Sequence, residues 1–192
     1  MATTLEELGA AIDEAPALPD ASEPMAVIWR VVFEAIVREQ IAPVVGPDEM
    51  DPHLRELAAD GAKIDAATYY DAVSLFRIAF FHEMEKIFGR YRVLVSPTLA
   101  VPAFPHPEHG RPGPDTVAGE QVNPFLGWLL TYHFNLTGQP AISIPCGFTE
   151  DGLPVGLQIA GRPGADEDVL RAAAAFEDAT GFPRHRPDLS AR

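Results

Sequence analysis

Apolar residues recur every three or four positions through most of residues 1–90 and gather into short, proline-bounded runs across 91–192. The first spacing is that of amphipathic helices, the second that of strands and loops. Thr4-Leu5-Glu6-Glu7-Leu8-Gly9 reads as a short helix with a Thr4/Glu7 capping box and Gly9 as its stop, and a short strand is expected at Ala11–Ala15. A longer helix is predicted from Glu23 to Ile41, with Ser22 as N-cap, Pro24 in the tolerated first turn and Pro43 blocking continuation. Its apolar face is Met25, Ile28, Trp29, Val32, Phe33, Ile36 and Val37. A third helix opens at Asp51-Pro52 and stops at Gly61. The longest spans Asp65 to Phe88, about 36 Å at 1.5 Å per residue. Tyr69, Val73, Phe76, Phe80, Met84 and Ile87 form its stripe, which Leu75, Ile78 and Phe81 widen enough to predict burial on more than one side.

Beyond Gly89 the pattern changes. Arg92-Val93-Leu94-Val95-Ser96, closed by Pro97, suits an interior strand, and Pro97–Asp115 reads as a proline-studded loop. Asn123-Pro124 opens a predicted helix that is apolar through Phe134 and stops before Gly138. Strands are expected at Ala141–Pro145 and Leu153–Ala160, joined by Thr149-Glu150-Asp151-Gly152, where Asp-Gly is a strong hairpin signal. The last helix starts near Asp166, with Asp166, Glu167 and Asp168 at its positive dipole end, and stops at Gly181. The pattern is α/β: mixed sheet strands flanked by helices, with a helical first half.

Composition narrows the function. The 192 residues are 47% hydrophobic and 22% charged, close to globular averages. The formal charge of −14 repels phosphate backbones and anionic lipid, so no nucleic-acid or membrane partner is expected. One cysteine, Cys146, argues for a reducing compartment. The start, MATTLEELGA, lacks the basic and apolar regions of a signal peptide, and no apolar run reaches the roughly 18 residues of a membrane helix. A soluble, cytoplasmic chain is expected.

Self-contained chemistry is hard to find. His82-Glu83-Met84-Glu85-Lys86 begins like a zinc helix, but Lys86 stands where the second histidine belongs, and a solvated helical face is the better reading. His106 and His109, beside Glu108, lack a third ligand, so no metal and no cofactor is expected. Cys146 has His133 as its nearest histidine in sequence, yet a small buried hydrophobe is its better role. None of Ser22, Ser74, Ser96, Ser143 or Ser190 lies on a glycine-rich turn that would pair it with Lys63 or Lys86. No catalytic residue is assigned.

The informative stretch is Asn135-Leu136-Thr137-Gly138-Gln139-Pro140-Ala141-Ile142-Ser143-Ile144-Pro145-Cys146-Gly147-Phe148, continued by Asp151-Gly152-Leu153-Pro154-Val155-Gly156-Leu157-Gln158. It closely resembles the C-terminal region of the amidase signature family. The resemblance extends outward: Val93-Leu94-Val95-Ser96-Pro97-Thr98 is similar to the family's strand and Pro-Thr loop. Asp168-Val169-Leu170 through Phe176-Glu177 resembles its closing helix, and Leu5 to Ala10 its helix-to-strand step.

The resemblance implies a partial amidase domain over 1–192, helical through 1–90, with strands, proline-rich loop and closing helix in 91–192. It implies hydrolysis of carboxylic amide C–N bonds by a nucleophilic serine, a second serine in a cis peptide and a lysine. In the family all three precede the region represented here, so no residue of this chain inherits those roles. Thr98, Trp128, Asn135, Thr137 and Gln139 are the residues expected to line the substrate cleft, because polar groups beside strand ends orient ligands. The expected partner is a small-molecule amide in the complete enzyme. Two alternatives stand: a fragment of a glutamyl-tRNA amidotransferase A subunit, which the run Trp128 to Phe134 fits less well, and a non-catalytic remnant or binding module. A partial fold also exposes apolar surface, so self-association, a homodimer included, is expected. The strands ending at Ser96 and starting at Ala141 are expected in one sheet, with Thr98 and Gln139 bordering one cavity.

Overall fold

A computed structural model describes residues 2–18, 20–46, 48–105 and 113–182. The helical half begins with α1 (Ala2–Glu7), whose Leu5 is buried. Thr4 lies inside this helix, so the expected capping box does not form; Gly9 follows with a positive φ of 89°. Residues 10–15 carry no regular secondary structure, Ala10 N–H donating back to the Leu5 carbonyl, and the strand expected at Ala11–Ala15 is absent. α2 (Ser22–Ile36) starts at Ser22 itself, and the Asp20 carboxylate accepts the Ser22 N–H at 2.8 Å, taking the capping role expected of Ser22. The helix continues as a π-helical turn over Val37–Ile41. α3 (Pro52–Gly61) is capped by Asp51, which accepts from the N–H groups of His53 and Leu54.

The long helix forms over the expected span in three pieces. α4 (Ala66–Tyr70) runs through a π-helical stretch, Asp71–Phe76, into α5 (Arg77–Phe88). The wider pitch of the π turn rotates the face that follows. Phe80, Met84 and Ile87 go into the core, whereas Leu75 and Ile78 stay 58% and 56% exposed. Burial of this helix on more than one side is therefore not found.

β1 (Val93–Pro97), β4 (Ala141–Phe148) and β5 (Pro154–Gly161) form one antiparallel sheet in the order β1-β5-β4. The strands that contain Ser96 and Ala141 thus share a sheet, but among the described residues β1 pairs on one side only, as an edge strand rather than the interior strand expected. Between them lie a small hairpin, β2 (Thr116–Val117) and β3 (Glu120–Gln121), and α6 (Tyr132–Thr137). The hairpin turns on Ala118 and Gly119, both at positive φ. The helix expected from Asn123 forms only at its C-terminal end, as α6, which stops before Gly138 as expected; ahead of it, Gly127 N–H reaches the Asn123 carbonyl in one turn, the Trp128 indole N–H takes the Pro124 carbonyl, and Leu129 bridges to Leu99. α7 (Asp166–Thr180) ends at Gly181, in the left-handed region. Among the described residues, no helix is long and apolar enough to cross a membrane.

Two cores cover the two faces of this sheet. Ile144, Leu157 and Ile159 face α7, where Phe176 (1% exposed), Val169 and Ala173 close over them, with Leu5 of α1 alongside. The opposite face meets the helical half through Ala160, Leu126, Tyr132, Phe134 and Leu136, packed on Phe80, Met84, Met25 and Ala26. Tight helix contact fixes that second layer. A Cβ on Gly61 would lie 2.1 Å from the Arg30 carbonyl oxygen, which only a displaced α3 could relieve, whereas one on Gly46 meets nothing within 4 Å.

These glycines therefore separate cleanly by mutation. Gly61→Ala is expected to destabilise the chain by about 1–3 kcal/mol through overpacking. Gly46→Ala should leave stability unchanged or raise it by a few tenths of a kcal/mol. Urea unfolding of the two variants checks this; equal midpoints would show that α2 and α3 separate freely.

Candidate functional site

Alternation along a strand sends neighbouring side chains to opposite faces, and cross-strand partners to the same face. Ser96, Gln158 and Ser143 are in register across β1, β5 and β4, so they form one polar row among apolar neighbours. Gln158 is only 3% exposed. Its Nε2 donates to Ser96 Oγ at 3.1 Å and to the Leu130 carbonyl at 3.0 Å, which ties the sheet to the segment that enters α6. Just beyond β1, Thr98 N–H donates to the Gly156 carbonyl, and Thr98 Oγ1 lies 2.6 Å from Ser143 Oγ. The two hydroxyls meet directly above Gly156, where a Cβ would sit 2.7 Å from Thr98 Oγ1 and 2.9 Å from Ser143 Oγ. A strip of hydroxyl and amide groups thus runs over the sheet face that carries the helical half.

Of the expected cleft residues, Thr98 is in this strip. Trp128 is half-buried, packs edge-on against Phe104 at 5.2 Å and covers buried Gly113. Asn135 is exposed on α6, while Thr137 and Gln139 are each 6% exposed. The Thr137 hydroxyl lies against both the His133 carbonyl oxygen, at 2.9 Å, and Gln139 Oε1; its one proton serves these acceptors in turn. Gln139 Nε2 is buried with no partner among the described residues, a cost of about 1–3 kcal/mol. The larger cleft, about 730 Å³, is bordered instead by β1, α1, α7 and residues 9–15; a smaller one of about 280 Å³ lies between α2 and the π turn. Ser143 and Gln158 join the strip although sequence spacing did not mark them. The signal was present: each is a lone polar residue between two large apolar ones, Ile142 and Ile144 or Leu157 and Ile159.

The remaining chemistry-bearing residues have ordinary partners. His82 pairs with Glu85 and Lys86 with Glu83 on an exposed helix face, and Lys63 pairs with Asp60. His106, Glu108, His109 and Ser190 lie outside the described residues. Cys146 is half-buried against the α7 core and donates to the Val155 carbonyl at 3.3 Å, and burial pushes its thiol pKa up. His133 sits in the other core, stacked on Tyr132 and Phe80, so the two do not form a nucleophile–base pair. Burial lowers the His133 pKa, opposed by the Leu130 carbonyl and the Asp20 carboxylate. The same burial, with Asp20 adding to it, pushes the Tyr132 phenol up to about 12.

The Amidase family matches residues 2–170. The chain belongs to the amidase family. It is 35% identical over 176 residues to the acylamidase of Rhodococcus erythropolis, covering 90% of this chain and 36% of that one. It is 37% identical over 142 residues to the glutamyl-tRNA(Gln) amidotransferase A subunit of Moorella thermoacetica, covering 72% of this chain and 27% of the relative. Among solved structures, a bacterial aryl acylamidase of the amidase signature family superposes with a TM-score of 0.78 at 29% identity, over 97% of this chain and 41% of that one. The chain therefore spans between about a quarter and two-fifths of the amidases it matches. Within the amidase-like block lie Ser143 and Gln158, two of the four side chains of the polar strip, and Gly156 beneath them.

Two outcomes test this part of the amidase chain. Gly156→Ala should separate Thr98 from Ser143 and destabilise by about 1–3 kcal/mol, the opposite sign from the gain that an unhindered Gly→Ala gives. His133 is neutral in the folded core, so the unfolded chain binds the proton more readily below the ordinary value of 6.5. Stability should fall as pH drops from about 7 towards 5, and the drop should shrink in His133→Phe. Denaturant midpoints against pH for both chains measure it; parallel curves would contradict a buried neutral imidazole.

Proposed function

We propose that this chain is the C-terminal, substrate-lining part of an amidase that hydrolyses the C–N bond of small carboxylic amides. The carrying observation is the likeness to the Rhodococcus acylamidase along 90% of the chain. In this reading a serine from the portion that the relatives carry beyond the shared span attacks the amide carbon. An acyl-enzyme forms, and water releases the acid. The strip contributes orientation: the Thr98 and Ser143 hydroxyls can donate to an amide oxygen or accept from an amide N–H, and Trp128 offers an apolar wall. Asn135, Thr137 and Gln139 complete the lining, with the unpaired Gln139 Nε2 as a donor that the sheet alone leaves unused. The reading as part of an amidotransferase ranks second, since that likeness covers 72% of the chain. A cytoplasmic location fits the single thiol, Cys146.

The test is a chimera in which residues 2–180 replace the matching span of the Rhodococcus acylamidase. A folded chimera, judged by a cooperative melt, is expected to release amine from aryl amides. Thr98→Val together with Ser143→Ala should raise KM or lower kcat by about tenfold, the scale of one or two lost polar contacts. The 192-residue chain alone should not hydrolyse benzamide. A folded but inert chimera, or turnover by the chain alone that Ser143→Ala abolishes, would sink the reading.

A further inference from the structure

The polar strip holds its protons unevenly. Gln158 Nε2 carries two, and both are engaged, one on Ser96 Oγ and one on the Leu130 carbonyl. Ser96 donates its own proton to the Pro97 carbonyl at 3.1 Å, so that hydroxyl is engaged as donor and as acceptor. Thr98 Oγ1 and Ser143 Oγ have only each other among the described residues, 2.6 Å apart. Two hydroxyls joined by one bond spend one proton between them and keep the other, with lone pairs open on both oxygens. Ser143 is exposed and Thr98 half-buried, and Gly156 beneath them has no side chain to cover the pair. The neighbours of Ser143 on that face of β4 are Ala141 and Pro145, which bring no polar side chain. A molecule reaching this point meets one free O–H and an adjacent acceptor oxygen.

A donor and an acceptor on neighbouring oxygens match one edge of an amide. With C=O and C–N lengths of about 1.23 and 1.33 Å, the amide O and N lie about 2.2 Å apart. That is close to the 2.6 Å between the two hydroxyl oxygens. We propose that the Thr98–Ser143 pair is a recognition site for a primary carboxamide, in which one N–H lies on the same side as the C=O. Ser143 donates to Thr98, Thr98 donates to the amide oxygen, and the amide N–H donates back to Ser143. The ring closes with every donor pointing in one sense, an arrangement in which each bond polarises the next. A secondary amide in its ordinary trans form sends N–H and C=O to opposite sides, so it fills one of the two bonds and leaves the other open. Turning it cis is strongly disfavoured. The inference rests on the proposed role of the strip in orienting an amide, not on the hydrolysis that follows, and a binding readout separates the two.

Three probes separate hydrogen-bond geometry from bulk: benzamide, isoindolin-1-one, whose ring locks a secondary amide cis, and N-methylbenzamide, which is trans. Each is titrated into the isotope-labelled 192-residue chain while the backbone resonances of Thr98, Ser143 and Gly156 are followed by NMR. Benzamide and isoindolin-1-one should shift them with similar affinity, and N-methylbenzamide should bind about five- to tenfold more weakly, the scale of one hydrogen bond. Ser143→Ala, at an exposed position, should keep a dispersed spectrum and abolish the preference, whereas Thr98→Ser, which retains the hydroxyl, should keep it. Three results would overturn the proposal: benzamide moves none of these resonances; isoindolin-1-one binds as weakly as N-methylbenzamide; or the preference survives Ser143→Ala. An acylamidase chimera inert on every amide would count against hydrolysis alone and leave this preference standing.

Discussion

The amide of Gln158 is the group around which the rest of this structure has to be arranged. It lies in the middle strand of the sheet, with apolar neighbours on both sides in sequence and a core on each face. A buried primary amide without partners costs more than one typical hydrogen bond returns. Its N–H groups are satisfied by two segments distant in sequence: Ser96, at the edge of the sheet, and the Leu130 carbonyl, at the entrance to α6. Those bonds hold the Leu129–Thr137 region against the sheet, and this region presents Tyr132, His133 and Phe134 to the helical half. Position 158 therefore couples sheet register to the docking of a whole layer.

The two faces of the sheet solve different problems. Towards α7 the contacts are dispersive and apolar, with Phe176, Val169, Leu157 and Ile159 filling the space. Towards the helices the strip is polar: Gln158 is buried, Ser96 and Thr98 are half-buried and Ser143 is exposed, and each described contact in the strip is made with another polar group. Close approach is possible there because Gly156 has no side chain. A buried amide such as Gln158 raises the specificity of packing, since a slipped strand would leave it without its partners. The same feature gives the face its chemical potential: groups that can exchange hydrogen bonds with one another can also exchange them with an amide.

Much of the fold was legible in the sequence because its signals are local. The Asp151-Gly152 turn sets the β4–β5 hairpin, with Gly152 N–H bonded to the Thr149 carbonyl and Thr149 N–H to that of Leu153. Asp51 and Gly181 bound helices by capping and by left-handed backbone. Side chains that compete with the backbone were not legible. Between Asn123 and Phe134 the apolar spacing is helical, but the Trp128 indole and the Leu99–Leu129 bridge draw the backbone away after one turn. The π turn at Asp71–Phe76 likewise shifts a periodicity that a straight-helix reading assigns to the core, leaving Leu75 and Ile78 outside. At the site, Thr98 was found through its place after a strand, whereas Ser143 and Gln158 were hidden because a polar residue in an alternating strand normally marks the solvent side.

Ala11–Ala15 shows a different limit. Its composition suits a strand and its Asp13 is anchored to Tyr91 and Arg90, yet it forms no ladder. Helical hydrogen bonds close within one segment, so a helix can be judged from its own residues. Strand bonds join two segments, so local propensity describes only half of the interaction. A residue run can be strand-like in composition and still form no ladder. Residues 10–13 and β1 border the same cleft, which Leu8 and Ile12, both partly exposed, also line. Whether such a run pairs is therefore decided by a second segment, and neither segment alone contains that information.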